Sequence, residues 1–263
     1  MNTLVFDAGN TRLKWSLLSD GRFGAMQAAE LGDLSTLQQW LTRNSRIERV
    51  IGVCVAGSTF ERRLRSALHA ADLPSPELMH SSGFAAGVSN GYREAQLLGD
   101  DRWAAAIAAW HRAGCYRTVC AVCVGTALTI DLVDQDGNHR GGLIAPGPQL
   151  MLSSLLGKTH GIAERAASKS GRATRSRTRP GTAKALADNT HDAIQTGCLA
   201  TAAGLIDRTV NLINRELGVR PVVFVAGGDA DRVRPLLKSA SKPCPELVLR
   251  GVALLAGLSL RRG

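Results

Sequence analysis

A short turn unit that occurs twice constrains the fold of this 263-residue chain more than any other feature. Asp7-Ala8-Gly9-Asn10-Thr11 follows the apolar run Leu4-Val5-Phe6, and Cys123-Val124-Gly125-Thr126-Ala127 follows Cys120-Ala121-Val122, 116 positions later. Each unit leads into an alternating stretch and then an Asp-Gly pair, Asp20-Gly21 and Asp136-Gly137, again 116 apart. The equal offsets predict equal spacing inside the two copies. A second match follows: Val50–Val55 leads into Ala56-Gly57, and Val222–Val225 into Ala226-Gly227-Gly228, now at an offset of 170. The second copy therefore carries an insertion of 54 residues between hairpin and strand. Two such copies predict an α/β chain of two similar halves, 1–117 and 118–263, with a cleft between them.

The coarse periodicity fills in the rest. Residues 2–7 and 11–18 read as paired strands, with Arg12, Lys14 and Ser16 on one face and Leu13, Trp15 and Leu17 on the other. Helices are expected over Leu34–Arg43, with Asp33 as N-cap, over Phe60–Ala71, and over Asp101–Ala113, stopped by Gly114. Further helices are expected over His191–Leu217, Asp229–Lys238 and Gly251–Arg262. Gly83–Asn90, Gly141-Gly142 and Pro146-Gly147-Pro148 read as loop punctuation.

Composition narrows the class. An apolar content of 44% supplies real cores, and no apolar run is long enough to cross a bilayer. Asp7 interrupts any signal-peptide pattern, so a soluble cytoplasmic protein is expected. Six cysteines sit mostly in apolar patterns; Cys120 and Cys123 form a lone C-x-x-C, for which buried reduced thiols are favoured over a zinc or redox site. Of the formal charge of +10, much is local: Lys158 to Lys184 holds eight Lys/Arg and one acid, Glu164. A solvated basic loop is the favoured reading, with anion steering second. The scarcity of aromatics argues against a nucleic-acid stacking platform.

Neither half carries G-x-G-x-x-G after its first strand or a G-x-x-x-x-G-K-[ST] loop, which lowers the Rossmann and P-loop readings. The first turn still has the groups for a phosphate site. Gly9 lets the backbone approach an anion, Asn10 and Thr11 add donors, and Lys14 adds a point charge. Asp7 suits Mg²⁺ as a hard oxygen ligand. Gly125 and Thr126 offer a matching turn and hydroxyl, and Ala226-Gly227-Gly228-Asp229 offers bare backbone for a base or ribose. In Leu98-Gly99-Asp100-Asp101-Arg102-Trp103, two acids open a helix. Asp100 reads as a cap. Asp101, kept ionised by the helix dipole and Arg102, suits the acceptance of a hydroxyl proton during phosphoryl transfer. Arg102 suits a two-pronged contact to a carboxylate.

These motifs together resemble the type III pantothenate kinases of the acetate-and-sugar-kinase/actin-like ATPase superfamily. The resemblance runs through DAGNTRLK (Asp7–Lys14), Tyr92, LGDDRW (Leu98–Trp103), VGTALTID (Val124–Asp131), GGLIAPG (Gly141–Gly147), NTHDAIQTG (Asn189–Gly197) and AGGD (Ala226–Asp229). It implies a duplicated ribonuclease H-like/actin-like ATPase fold with the active site in the cleft. It implies ATP-dependent phosphorylation of pantothenate, with Mg²⁺, at the first step of coenzyme A synthesis. By motif position, Asp7, Ala8, Gly9, Asn10, Thr11, Arg12, Leu13, Lys14 and Thr126 bind ATP. Tyr92, Gly99, Asp100, Asp101, Arg102 and Thr190 bind pantothenate, with Asp101 the proton acceptor. The family is homodimeric, with the substrate pocket near the subunit interface, and His160 is a weaker match to a residue reaching the neighbouring site.

Many family members have Asp at the position of Cys123, where it helps hold an activating monovalent cation. A thiol is a poor ligand for K⁺, so no strong K⁺ site is expected; ammonium or no bound cation are the alternatives. A related small-molecule or sugar kinase, and a regulatory binding protein like the Bvg accessory factors, remain as further readings.

Overall fold

Leu4, Phe6 and Ala8 alternate with Thr3, Val5 and Asp7, and the first strand forms over that alternation. The computed structural model describes residues 1–44, 46–167 and 186–261. In the first half the order is β1 (Asn2–Ala8), β2 (Arg12–Ser19), β3 (Arg22–Phe23), β4 (Gln27–Glu30), α1 (Ser35–Thr42), β5 (Arg49–Cys54), α2 (Ser58–His69), β6 (Glu77–Leu78), β7 (Phe84–Ala85), β8 (Val88–Ser89) and α3 (Asp100–Arg112). Then come β9 (Val119–Val124), β10 (Ala127–Val133), β11 (His139–Pro146), α4 (Pro148–Lys158), α5 (His160–Ala167), α6 (Thr190–Leu217), β12 (Val222–Ala226), α7 (Ala230–Val233), β13 (Ser241–Pro243) and α8 (Leu247–Leu255).

The duplication is explicit in the sheets. One runs β3-β2-β1-β5-β6, with β4 also on β2; the other runs β11-β10-β9-β12-β13. In both, the first strand pairs antiparallel with its hairpin partner and parallel with the later strand. The equal spacing expected inside the copies is corrected, however. Asp7 faces Lys14, whereas Cys123 faces Thr129, one residue earlier in its return strand. The second turn is thus a residue shorter, and the longer loop between Val133 and His139 restores the Asp-Gly offset.

The elements stack in layers. One face of the first sheet packs Leu4, Phe6, Leu13 and Trp15 against Leu37 and Leu41 of α1 and Phe60, Leu64 and Leu68 of α2. The outer face of the second sheet packs Cys120, Val122 and Ile130 against Ala202, Ala203, Ile206 and Val210 of α6. Between the sheets lie α3 and α8, exchanged. α3, which ends the first half, covers Val119, Ala121 and Phe224 of the second sheet. α8, which ends the chain, covers Val5, Ile51 and Val53 of the first. Arg102 through Trp110 are all buried, which the small side chains of an alanine-rich helix permit.

Several expectations are corrected. Gly251 does not begin the last helix; it lies inside α8, where a Cβ would fall 1.8 Å from the carbonyl oxygen of Ala104. α8 ends early because Gly257, at φ +74, takes the left-handed conformation that stops a helix. The helix expected over Asp229–Lys238 shrinks to α7 and a 3-10 turn, since Pro235 interrupts the ladder of N–H donors. Gly141-Gly142 lies within β11 rather than in a loop. Gly142 is there because a Cβ would meet Ile130 O at 2.3 Å. Gly83–Asn90 holds the small β7–β8 hairpin.

Replacing Gly251 by Ala forces α3 and α8 apart. It should destabilise the protein by ~1–3 kcal/mol or more, read as a lowered thermal midpoint. An unchanged midpoint would refute the close crossing.

Candidate active site

The two repeated turns meet. Thr11 Oγ1 and Thr126 Oγ1 are 2.7 Å apart, so the hairpins of the two sheets join at their tips by a hydroxyl–hydroxyl hydrogen bond. Around that contact opens a cavity of about 660 Å³. Gly9, Asn10, Arg12 and Lys14 line it from one turn, and Cys123, Gly125 and Thr129 from the other. Asp101 and Arg102 enter from the start of α3, Gly227-Gly228-Asp229 from the loop after β12, and Gln149 and Ser153 from α4.

Strand alternation sorts the first motif. Asp7 and Lys14, a cross-strand pair, face the cavity, with Lys14 Nζ 3.7 Å from Asp7 Oδ2. Ala8 and Leu13, the next pair, face away; both are fully buried against α1 and α2 and do not line the cavity. Their assignment to ATP came from a contiguous motif, which a strand necessarily splits between two faces. The glycines of the turns are informative in a different way. Gly9 donates its N–H to Arg12 O, and Gly125 to Ala127 O, so neither amide points at a ligand. Neither has a positive φ, and a Cβ would sit 3.5 Å from Arg12 O in one and 3.8 Å from Ala127 O in the other, ordinary contact. The fold does not need glycine there; what glycine leaves bare is the wall of the cavity. Gly147 is the contrast, since a Cβ there would strike Gly125 O, and its N–H donates to Thr126 O at 2.8 Å. That packing sets α4 against the second turn and brings in Gln149 and Ser153, which the sequence reading missed.

Burial dominates the electrostatics. Asp7 is 5% exposed and its Oδ1 has no hydrogen-bond partner among the described residues. Desolvation raises its pKa from 3.8 to about 6, against the pull of Lys14, and Asp101 adds a smaller upward push. Asp101 itself is raised above the usual carboxylate range by desolvation, which outweighs its hydrogen bond from the Arg102 N–H and the charge of Arg102. Burial, not Arg102, therefore sets the direction of its shift. Gly99 leaves space for this carboxylate, as a Cβ there would lie 2.9 Å from Asp101 Oδ1.

Arg102 is engaged on its forked side. Nε and Nη2 donate to Asp131, and Nη1 donates to Tyr92 Oη. The two-pronged grip expected for a substrate carboxylate is thus occupied by Asp131. An acid within the apolar run Ile130-Asp131-Leu132 was the sequence signal for this pair, since a buried carboxylate requires a partner. Asp100 turns from the cavity: it accepts from Ser81 N at 2.7 Å and lies 3.0 Å from His80 Nδ1. Asp100, Tyr92, Gly99 and Thr190, at the start of α6, do not line the cavity; Tyr92 stands behind Arg102, to which it is hydrogen-bonded, and Gly99 lies against Asp101.

Cys123 lines the cavity as an un-ionised thiol, with burial pushing its pKa up to about 12. Cys120, three residues earlier, packs with the α6 layer while Cys123 packs with the α3 layer. The C-x-x-C thiols thus lie on opposite faces of the sheet and do not share an ion. The side chain of His160, and 168–185 of the basic stretch, lie outside the described residues.

Comparison with known proteins gives a consistent picture. A family model described as type III pantothenate kinase matches residues 3–212. A type III pantothenate kinase of Herminiimonas arsenicoxydans is 38% identical, over 96% of this chain and 96% of its own. One of Nitrosococcus oceani is 32% identical, over 96% and 93%. Among solved structures, a putative 2-dehydro-3-deoxygalactonokinase of Sinorhizobium meliloti superposes with a TM-score of 0.55 at 14% identity, covering 97% of this chain and 98% of its own. The ethanolamine utilization protein EutJ of Carboxydothermus hydrogenoformans superposes at 0.51, with 12% identity, over 97% and 90%. At such identities these two establish the duplicated actin-like ATPase fold and nothing more.

Two outcomes follow from the site. Gly9→Ala should leave stability within about 0.5 kcal/mol of wild type while weakening nucleotide binding, measured by thermal melts and titration calorimetry. Asp7 binds its proton more tightly folded than unfolded, so its contribution favours folding at low pH and is lost as pH rises from about 4 to about 6. Above that window the ligand-free protein carries a penalty of up to about 3 kcal/mol. The melting temperature of Asp7→Asn relative to wild type should therefore climb between pH 4 and pH 7; a flat difference would exclude the raised pKa.

Proposed function

We infer the function of this chain from one premise: it belongs to the type III pantothenate kinase family. It transfers the γ-phosphoryl group of ATP to the hydroxyl of pantothenate, giving 4'-phosphopantothenate, the first step of coenzyme A synthesis. The observation that carries the reading is that Asp101 opens into the same cavity as Lys14 and the paired hydroxyls of Thr11 and Thr126.

In the proposed mechanism Asn10, Thr11, Lys14 and Thr126 hold the phosphates, while Arg12 and Gly227-Gly228 border the nucleoside end. Tyr92, Gly99 and Arg102 orient the acceptor. Its hydroxyl oxygen bonds to the γ-phosphorus as the bond to the ADP oxygen breaks, and its proton passes to the Asp101 carboxylate. The transition state is loose, so Asp101 accepts that proton late and works first by orienting the nucleophile. Burial makes it a better proton acceptor than an ordinary Asp, which moves the acid limb of activity upward. The unpartnered Oδ1 of Asp7 fits Mg²⁺, directly or through water. Bound there with ATP, Mg²⁺ would neutralise charge on the phosphates. Near Cys123 no carboxylate charge is supplied by that side chain, which supports a weak requirement for K⁺ or ammonium.

The active form is proposed to be a cytoplasmic homodimer. Leu143 and Ile144 on the edge strand β11 and Leu150 and Leu155 on α4 are 40% exposed or more, apolar surface of the kind a second copy would cover. Thr190 lies away from its own chain's cavity, which suits a role across such an interface.

A coupled ATP-consumption assay tests the reading: turnover should require pantothenate and not a panel of sugars. Asp101→Asn should lose on the order of 10²-fold or more in kcat with ATP binding retained; near-normal turnover would overturn Asp101 as acceptor. Wild type should respond little to added K⁺ or ammonium, whereas Cys123→Asp should become K⁺-dependent. Strong K⁺ activation of wild type would contradict the weak site.

A further inference from the structure

The guanidinium of Arg102 carries five N–H donors in one plane. Nε donates to Asp131 Oδ2 at 3.0 Å, Nη2 to Asp131 Oδ1 at 2.6 Å, and Nη1 to Tyr92 Oη at 2.8 Å. One N–H therefore remains on each of Nη1 and Nη2. Asp131 is 1% exposed and also accepts from His139 Nε2 at 3.0 Å. His139 is equally buried, edge-on to Trp103 and tilted against Tyr92, with ring centroids 6.3 and 5.9 Å away. Asp131 and His139 lie on paired strands, so the sheet fixes both. Gly142 on β11 admits the pair, because a Cβ there would fall 2.4 Å from Asp131 Oδ1 and 2.7 Å from Arg102 Nη2.

We propose that Asp131, steadied by His139, is the positioning residue for acceptor recognition: it fixes the plane of Arg102 so that single N–H groups, beside the Tyr92 hydroxyl, meet acceptor oxygens of the substrate. The inference rests on the kinase reading of the same cavity. Tyr92 Oη accepts from Arg102, so its own proton is free to be donated to a ligand. The site thus offers donors and no free carboxylate at this point, and it selects substrates with carboxylate or amide oxygens there. Asp131 also balances the charge of Arg102, so recognition depends on placed hydrogen bonds more than on a bare cation. Lysine at 102 would not reproduce this, since an ammonium lacks the planar fork. Without Asp131 the guanidinium would be left partly buried and unpaired, free to swing from its place.

The test is a steady-state comparison of Asp131→Asn, His139→Gln and His139→Leu in the full-length enzyme. Asp131→Asn should raise the KM for pantothenate on the order of tenfold or more while the KM for ATP stays within about twofold. His139→Gln, which keeps a donor near Nε2, should stay close to wild type, and His139→Leu should follow Asp131→Asn. A purely structural role would lower stability and degrade both substrates together. Unchanged pantothenate KM in Asp131→Asn, or equal rises in both KM values, overturns the inference. If Asp131→Asn fails to fold, the His139 pair decides, and equal pantothenate KM values in Gln and Leu overturn it. Absence of pantothenate turnover in wild type would sink the kinase reading alone. Hydrogen exchange of the Arg102 Nε–H by NMR then judges the positioning: slow exchange in wild type that becomes fast in His139→Leu supports it, and fast exchange in wild type overturns it.

Discussion

A tight approach between the two halves, Gly251 of α8 against the Ala104 backbone of α3, sets the geometry on which the cleft depends. Each of these helices covers the sheet of the other half. Their separation therefore fixes how far apart the sheets stand and how the hairpin tips meet. α3 carries Asp101 and Arg102 at its start, and the beginning of α8 contributes Val248 and Leu249 to the cavity wall. One bare glycine against one small-residue helix thereby controls the distance between Asp101 and the two turns. Ridges of larger side chains would hold helices 8–10 Å apart; glycine and alanine permit the tighter crossing.

The cleft that results is electrostatically costly without ligands. Asp7 and Asp101 are both pushed toward protonation by burial, and Asp7 keeps an oxygen without a partner. Lys14 offsets part of that cost. The arrangement suits a site whose missing charge arrives with its ligands, since a functional group is often held in an environment a purely structural residue would avoid. Arg102 is the opposite case. Asp131 and Tyr92 take up three of its N–H groups within the protein, so it is ordered before anything binds and loses little freedom on binding.

Much of this was legible in the chain. The repeat announced two equivalent sheets, because identical patterns of apolar and turn residues impose identical local structure. The turn motif offered the donors and charge of a phosphate site, although the same residues also suit an ordinary Asx turn at the tip of a hairpin. The family resemblance extended this to specific residues. What stayed illegible has definite causes. Ala8 and Leu13 were grouped with their neighbours because a motif is read as a line, whereas a strand presents alternate residues to opposite sides. Gly142 looked like loop punctuation and Gly251 like a helix start because a glycine needed for close packing is identical in sequence to one needed for a turn or an element's end. The one-residue difference between the two turns was hidden by a compensating residue farther along.

The sequence by itself determined the duplication, the strand and helix order of most elements, and the set of candidate side chains for the chemistry. These follow from local periodicity and residue type, which act over a few neighbours. Tertiary structure alone decided which of those side chains share the cavity, that burial outweighs the hydrogen bond and charge of Arg102 at Asp101, and that the fork of Arg102 belongs to Asp131. Each of these is set by distance and dielectric between residues 29 or more positions apart, as Arg102 and Asp131 are. No local pattern carries that information. Even the hydroxyl contact between Thr11 and Thr126, which joins the two copies of the opening motif, exists because exchanged helices bring the two sheets to the same point.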